Sequence, residues 1–186
     1  MRIIVSLFFL IPLVGLSQNQ KDVTDYAKSI SPNELKELLY VYASDYFEGR
    51  DTGSKGQKKA VDFLRQFYSS HGINAAQGTE NYFQPMELNI KGKIVKSENV
   101  IAIIEGNEYP EEYIVLSSHL DHVGIEKGLI YNGADDDGSG SVALLEIAEA
   151  FQDASAAGQG PKRSIIFLHV TGEEKGLLGS SYYTEN

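Results

Sequence analysis

The spacing of apolar residues changes part-way along this chain, and the change separates a helical first part from an alternating strand-and-helix second part. Leu35, Leu38, Leu39 and Tyr42 recur at helical spacing behind Ser31-Pro32-Asn33-Glu34, which has the shape of a capping box with proline at the first helical position. Glu48-Gly49-Arg50-Asp51-Thr52-Gly53 breaks that helix. Ser54 and Gln57 cap the next one, with Ala60, Val61, Leu64, Phe67 and Tyr68 on one stripe and Gly72 as its stop.

Strands are predicted after that point. Tyr82 to Asn89 reads as one, and Pro85 marks it as an edge or a bulge. Asn99 to Glu105 and Tyr113 to Ser118 are continuous apolar runs, as expected of strands buried on both faces. Ser141 to Phe151 predicts a helix through Val142, Leu145, Ala148 and Phe151, and Ser164 to Val170 a further apolar strand. Strand, helix, strand in that order is a βαβ unit. The expected fold class is α/β, a mixed and largely parallel sheet flanked by helices.

Ahead of these elements, Arg2 is followed by an almost wholly apolar run from Ile3 to Leu16, with small residues in Gly15-Leu16-Ser17. This is the pattern of a secretory signal at residues 1–17, cleaved before Gln18, and the run is short for a membrane span. Residues 18–186 would then form one catalytic portion, secreted or periplasmic, with no stable membrane association. The chain has no cysteine, which excludes disulfides, thiolate ligands and lipid attachment through sulfur. Its net charge is −10, and losing Arg2 makes it more negative. Nucleic acid and anionic membranes both need a basic face, so neither is an expected partner.

Three charged clusters each follow an apolar or extended run: His119-Leu120-Asp121-His122, Asp135-Asp136-Asp137-Gly138 and Gly172-Glu173-Glu174. Crowded carboxylates repel unless a cation offsets them. Imidazole and carboxylate delivered from separate element ends form a ligand set suited to zinc. In a parallel sheet the first and third clusters leave by the same edge, where open α/β folds bind ligands, and the aspartates precede a helix N-terminus. Each cluster alone has a plainer reading: a surface turn, a capped loop, first-turn acids. Asp135, Asp137, Ser139, Gly140 and Glu146 also fit the spacing of a calcium loop, but the preceding Gly128 to Tyr131 looks extended where a helix should enter. His169, inside an apolar strand, reads as a buried core residue, His71 as a helix C-terminal residue, and His122 as lining the cleft without being a ligand.

His119-Leu120-Asp121, the run from Asn132 to Gly140, the run from Gly172 to Ser180, and Glu48-Gly49-Arg50 with Thr52-Gly53 resemble the di-zinc aminopeptidase family of secreted exopeptidases, from about Leu35 to the end. The resemblance implies a zinc-exopeptidase, phosphorylase/hydrolase-like fold, peptide substrates and two Zn2+ ions per complete catalytic domain. His119 would bind one zinc, Asp136 would bridge both, and Glu174 would bind the second. Glu173 would be the general base, Asp121 would hydrogen-bond the far nitrogen of His119, and the Asp136–Asp137 peptide would be cis. Spacing alone does not say which of the two glutamates meets metal and which meets water.

The family's two remaining ligands, an aspartate and a histidine, come later than Glu174, and neither residue type occurs from Lys175 to Asn186. The expectation is an N-terminal portion of a longer enzyme that binds zinc weakly on its own and lacks peptidase activity. The rivals are a glutaminyl cyclase-like acyltransferase with one zinc and a non-catalytic binding domain of the same fold.

Overall fold

A computed structural model describes residues 22–186. The expected signal at residues 1–17 lies outside the described residues.

Asp22 caps a short helix α1 (Val23–Ala27), and α2 (Pro32–Tyr42) starts at Ser31, whose hydroxyl accepts from the Glu34 N–H. The next helix, α3 (Lys55–Ser70), starts at Ser54, which accepts from the Gln57 N–H, and ends at His71. Strands β1 (Asn74–Ala75), β2 (Phe83–Ile90), β3 (Lys93–Ile104) and β4 (Tyr109–His119) follow. A small hairpin of β5 (Gly124–Glu126) and β6 (Leu129–Tyr131) leads to a turn at Ala134–Gly138. The chain then runs through α4 (Ser139–Ala156), β7 (Arg163–Val170) and α5 (Leu178–Glu185).

The sheet is mixed, in the order β1-β3-β7-β4 with β2 also paired to β3. It is not largely parallel among the described residues: only β4 and β7 run parallel, while β1, β2 and β7 each pair antiparallel with β3. Residues 105–108 reverse the chain between β3 and β4, and β7 then inserts between those two strands. Apolar runs signal burial but carry no strand direction, which long-range pairing decides. Pro85 sits in β2, a strand paired on one side only, where a missing N–H is tolerated.

Alternation along β3 and β7 feeds two apolar layers. Val100, Ala102, Ile104, Ile165 and Phe167 meet Tyr42, Leu64 and Leu145 from α2, α3 and α4. Ile101, Leu168 and Val170 face the other way, beside Ala76 and Tyr183. The strand expected at Tyr113 to Ser118 is less covered than its apolar run suggests. Tyr113, Ile114 and Val115 are about half exposed, because β4 is the outermost described strand.

The β4–α4–β7 unit fixes the site. Parallel register pairs Ser118 with His169 and His119 with Val170, so both strands end at one level. Among the described residues no helix is long and apolar enough to cross a membrane.

Candidate metal centre

His119 is the last residue of β4, Gly172-Glu173-Glu174 follow β7, and the Asp135-Asp136-Asp137 turn enters α4. Parallel pairing and the crossover helix therefore gather the three sequence clusters at one edge. The Asp136–Asp137 peptide is cis, as the resemblance implies. Asp137 holds the turn to both neighbours: its carboxylate accepts from the His119 N–H at 3.1 Å and from the Gly140 N–H at 3.0 Å. A side chain at position 140 would lie 2.2 Å from that carboxylate and would have to push it away from these two donors. Ser141, in the first turn of α4, donates to the His119 carbonyl at 3.1 Å.

Asp136 stands in the middle of the cluster. Its Oδ1 is 2.9 Å from His119 Nε2, and Glu173 Oε2 lies 3.9 Å from the same nitrogen. Asp136 also groups with His122 and Glu174, whose ligand-type atoms all fall within 4.8 Å of one another. His122 Nδ1 and Glu174 Oε1 approach to 2.8 Å, yet both are buried atoms without a hydrogen bond. Buried polar atoms without hydrogen bonds are uncommon and costly. Here they belong to one imidazole and one carboxylate beside a second carboxylate, the donor types zinc takes. The residues present fit a divalent cation.

His122 is the residue sequence reasoning set aside as a ligand, and the structure puts it beside Glu174. A second histidine three positions after His119 in a strand-exit loop is the signal that could have raised it. His119, Asp136 and Glu174, the three proposed ligands, all reach the site, with Asp136 between the other two.

Asp121 departs from expectation. The Nδ1 of His119 is 3.0 Å from the Asp121 main-chain carbonyl and not from its carboxylate. The Asp121 side chain turns inward and is fully buried. Thr52 donates its hydroxyl to Oδ2 at 2.7 Å, and the Glu173 N–H donates to Oδ1 at 3.2 Å. Burial pushes this carboxyl up from its ordinary range, while those two hydrogen bonds pull it back. Asp121 thus links the first cluster to the third through main chain.

Behind the site lies Arg50, also fully buried. Its Nε donates to the Leu120 carbonyl at 3.0 Å, Nη1 to the carbonyls of Tyr42 (3.1 Å) and Asn132 (2.7 Å), and Nη2 to that of Gly133 (2.8 Å). The guanidinium stacks over the Tyr42 ring at 4.7 Å. Burial lowers its pKa, and Tyr42, Asp121, Asp137 and Asp136 oppose that effect. His169 is a buried core residue: Nε2 meets the Tyr68 hydroxyl at 2.7 Å and Nδ1 the Ser118 hydroxyl at 3.0 Å. Burial brings its pKa down to about 3. His71 closes α3 and stacks on Phe67.

Residues 99–186 match the sequence pattern of Peptidase family M28. The matched stretch contains all three clusters. "Probable glutamate carboxypeptidase LAMP1" of Arabidopsis thaliana is 39% identical over 92 residues, 50% of this chain and 12% of that protein. The LapA aminopeptidase of Legionella pneumophila, 21% identical with a TM-score of 0.63, covers 100% of this chain and 47% of its own. A glutaminyl cyclase of Porphyromonas gingivalis, 25% identical with a TM-score of 0.63, covers 84% of this chain and 53% of its own. The chain therefore spans about half the length of these solved structures and a much smaller share of the curated relative. A "Probable zinc metalloprotease" of Leptosphaeria maculans is 34% identical over 107 residues, 55% of this chain and 23% of that protein.

Proposed function

We propose that the protein is a zinc-dependent exopeptidase of the aminopeptidase type, acting on peptides. The observation that carries this reading is Asp136, which lies between His119 on one side and the His122–Glu174 pair on the other. One carboxylate between an imidazole on one side and an imidazole–carboxylate pair on the other is an arrangement that two neighbouring cations can share.

His119, Asp136 and Glu174 would hold the metal, and two bound zinc ions would polarise a peptide carbonyl and acidify the attacking water. Glu173 would accept the proton of that water and return it to the departing amine nitrogen. Its carboxylate is about one-third exposed and turned towards the His119 side of the cluster, while its N–H is fixed on Asp121. Asp121 therefore acts as a positioning residue for Glu173 as well as for the His119 loop. Export belongs to the same reading, with residues 1–17 removed before Gln18 and the protein delivered outside the cell or to the periplasm.

The test is made on the full-length protein. Zinc content is expected at two per catalytic domain, with hydrolysis of an aminoacyl amide that chelator abolishes and zinc restores. Absence of metal-dependent hydrolysis of peptides or aminoacyl amides overturns the proposal. The likeness to a glutaminyl cyclase favours a second reading. One zinc per chain, with ammonia released from a peptide bearing N-terminal glutamine, would support that reading instead. A protein that takes up no zinc and turns over neither substrate would be a binding domain.

A further inference from the structure

Arg50 has no carboxylate hydrogen-bond partner, although four hydrogen bonds leave its guanidinium. Burying a cation among main-chain carbonyls is costly, and well-packed apolar residues usually stabilise a fold as well or better. The position of those carbonyls is informative. Leu120 follows His119 directly, and Asn132 and Gly133 open the turn that carries Asp136. The Leu120 carbonyl also accepts from the Tyr42 hydroxyl at 3.2 Å.

Local backbone cost points the same way. Glu48, Gly49 and Arg50 are all left-handed, with φ of 53°, 68° and 52°. A non-glycine residue in that region carries a steric cost between Cβ and the following carbonyl. A side chain at Gly49 would lie 2.4 Å from the Tyr131 carbonyl and 2.6 Å from that of Gly124. The turn is thus pressed against the loop segments it serves. Its neighbours reach the third cluster: Asp51 pairs with Lys175 at 2.7 Å, and Thr52 holds Asp121, which holds the Glu173 N–H.

We infer that Arg50 is the positioning residue that sets the separation of the His119 loop from the Asp136 turn, and through it the zinc affinity of the site. The inference rests on the zinc reading above. The rigid planar fork is what joins the two loops, and a lysine ammonium cannot span the same set of carbonyls.

The experiment compares wild type, Arg50→Lys, Arg50→Gln and Leu64→Ala in the full-length protein, at a temperature where each is folded. Leu64 is a fully buried α3 core residue and serves as the stability control. Zinc affinity is read by competition with a chromophoric chelator, and hydrogen exchange is followed in the metal-free protein. Arg50→Gln should weaken zinc binding by about 10- to 100-fold, the range for residues that orient ligands, with Arg50→Lys in between. Exchange should rise together in residues 120–122 and 132–138 while α3 stays protected. Leu64→Ala should lower the melting temperature and leave zinc affinity within about twofold, below the range expected when a ligand-orienting residue is lost. Unchanged affinity in both Arg50 variants, unchanged exchange in the two loops, or an equal loss in Leu64→Ala overturns the inference. If wild type takes up no zinc, the zinc reading fails, and the inference falls with it. Should Arg50→Gln not fold, Arg50→Lys alone decides by the same two readouts.

Discussion

Asp136 and Asp121 are carboxylates of the same site, and they are treated in opposite ways. Asp136 has a side chain 64% exposed and stands between the imidazoles of His119 and His122, with the Glu174 carboxylate beside it. Asp121 is wholly buried, with a donor on each oxygen. The contrast extends to their surroundings. His122 and Glu174, beside Asp136, have buried atoms without hydrogen bonds, whereas Arg50 and His169 behind them use their polar atoms in several. The front row sets its imidazoles against its carboxylates at 2.9 and 2.8 Å, and the row behind it holds that front row in place. Substitutions in front should therefore cost function and little stability, and those behind should cost stability first.

The largest expected effect tests the front row. Glu173→Gln in the full-length protein should reduce hydrolysis of an aminoacyl amide by about 10²- to 10⁴-fold, the contribution of a general base. Zinc content and melting temperature should stay at wild-type values. Unchanged turnover removes Glu173 as the base, and loss of zinc would mean that it is a ligand.

Thr52→Val probes the row behind. The substitution keeps the shape and leaves Asp121 Oδ2 buried without its 2.7 Å donor, which should cost about 1–3 kcal/mol in urea unfolding. Thr52→Ser restores the hydroxyl and should recover most of the loss. If Thr52→Val unfolds at the same urea concentration as wild type, the buried carboxylate does not depend on that hydrogen bond.

These two rows differ in how far the sequence reveals them. The front row was legible because its residues leave strand ends in clusters, and parallel pairing of β4 with β7 brings those ends together. The back row was legible only in part. His169 reads as a buried core residue and is one, whereas Arg50 reads only as part of a helix break, and the fold alone shows it enclosed by carbonyls from residues 42, 120, 132 and 133. The Asp121 contact was assigned to the carboxylate because sequence cannot say whether a loop presents its carbonyl or its side chain. His122 was excluded for a related reason, since its approach to Glu174 depends on two loops meeting. Helices α2 and α3 were legible from their caps, and β3 was legible as a strand, but its direction was not.

His169 carries a smaller, pH-dependent effect within the back row. Its folded pKa is about 3 against an ordinary 6.5. Between those values the unfolded chain binds a proton that the folded protein excludes, so stability falls as pH drops from about 6.5 towards 3. The slope approaches about 1.4 kcal/mol per pH unit for one proton. Urea unfolding in chelator, for wild type and His169→Gln, isolates this contribution from the acids that titrate nearby. The difference in stability between the two should shrink as the pH is lowered through that window. A constant difference from pH 7 to pH 4 would mean that the imidazole accepts its proton inside the fold.

The smallest effect is the one the contrast predicts most sharply in sign. At pH 8 in chelator, Asp136→Asn removes one of the crowded carboxylates from an exposed position. Exposed pairs of charges contribute at most about 1 kcal/mol. The metal-free variant should therefore unfold at the same urea concentration as wild type or slightly higher. Asp121→Ala should unfold at a lower one, because it leaves the Thr52 hydroxyl and the Glu173 N–H without their acceptor. Added zinc should then reverse the order of Asp136→Asn and wild type, since only wild type retains the central ligand and gains binding free energy in the folded state. If Asp136→Asn is the less stable of the pair without metal, Asp136 belongs with Asp121 among the residues that hold the fold.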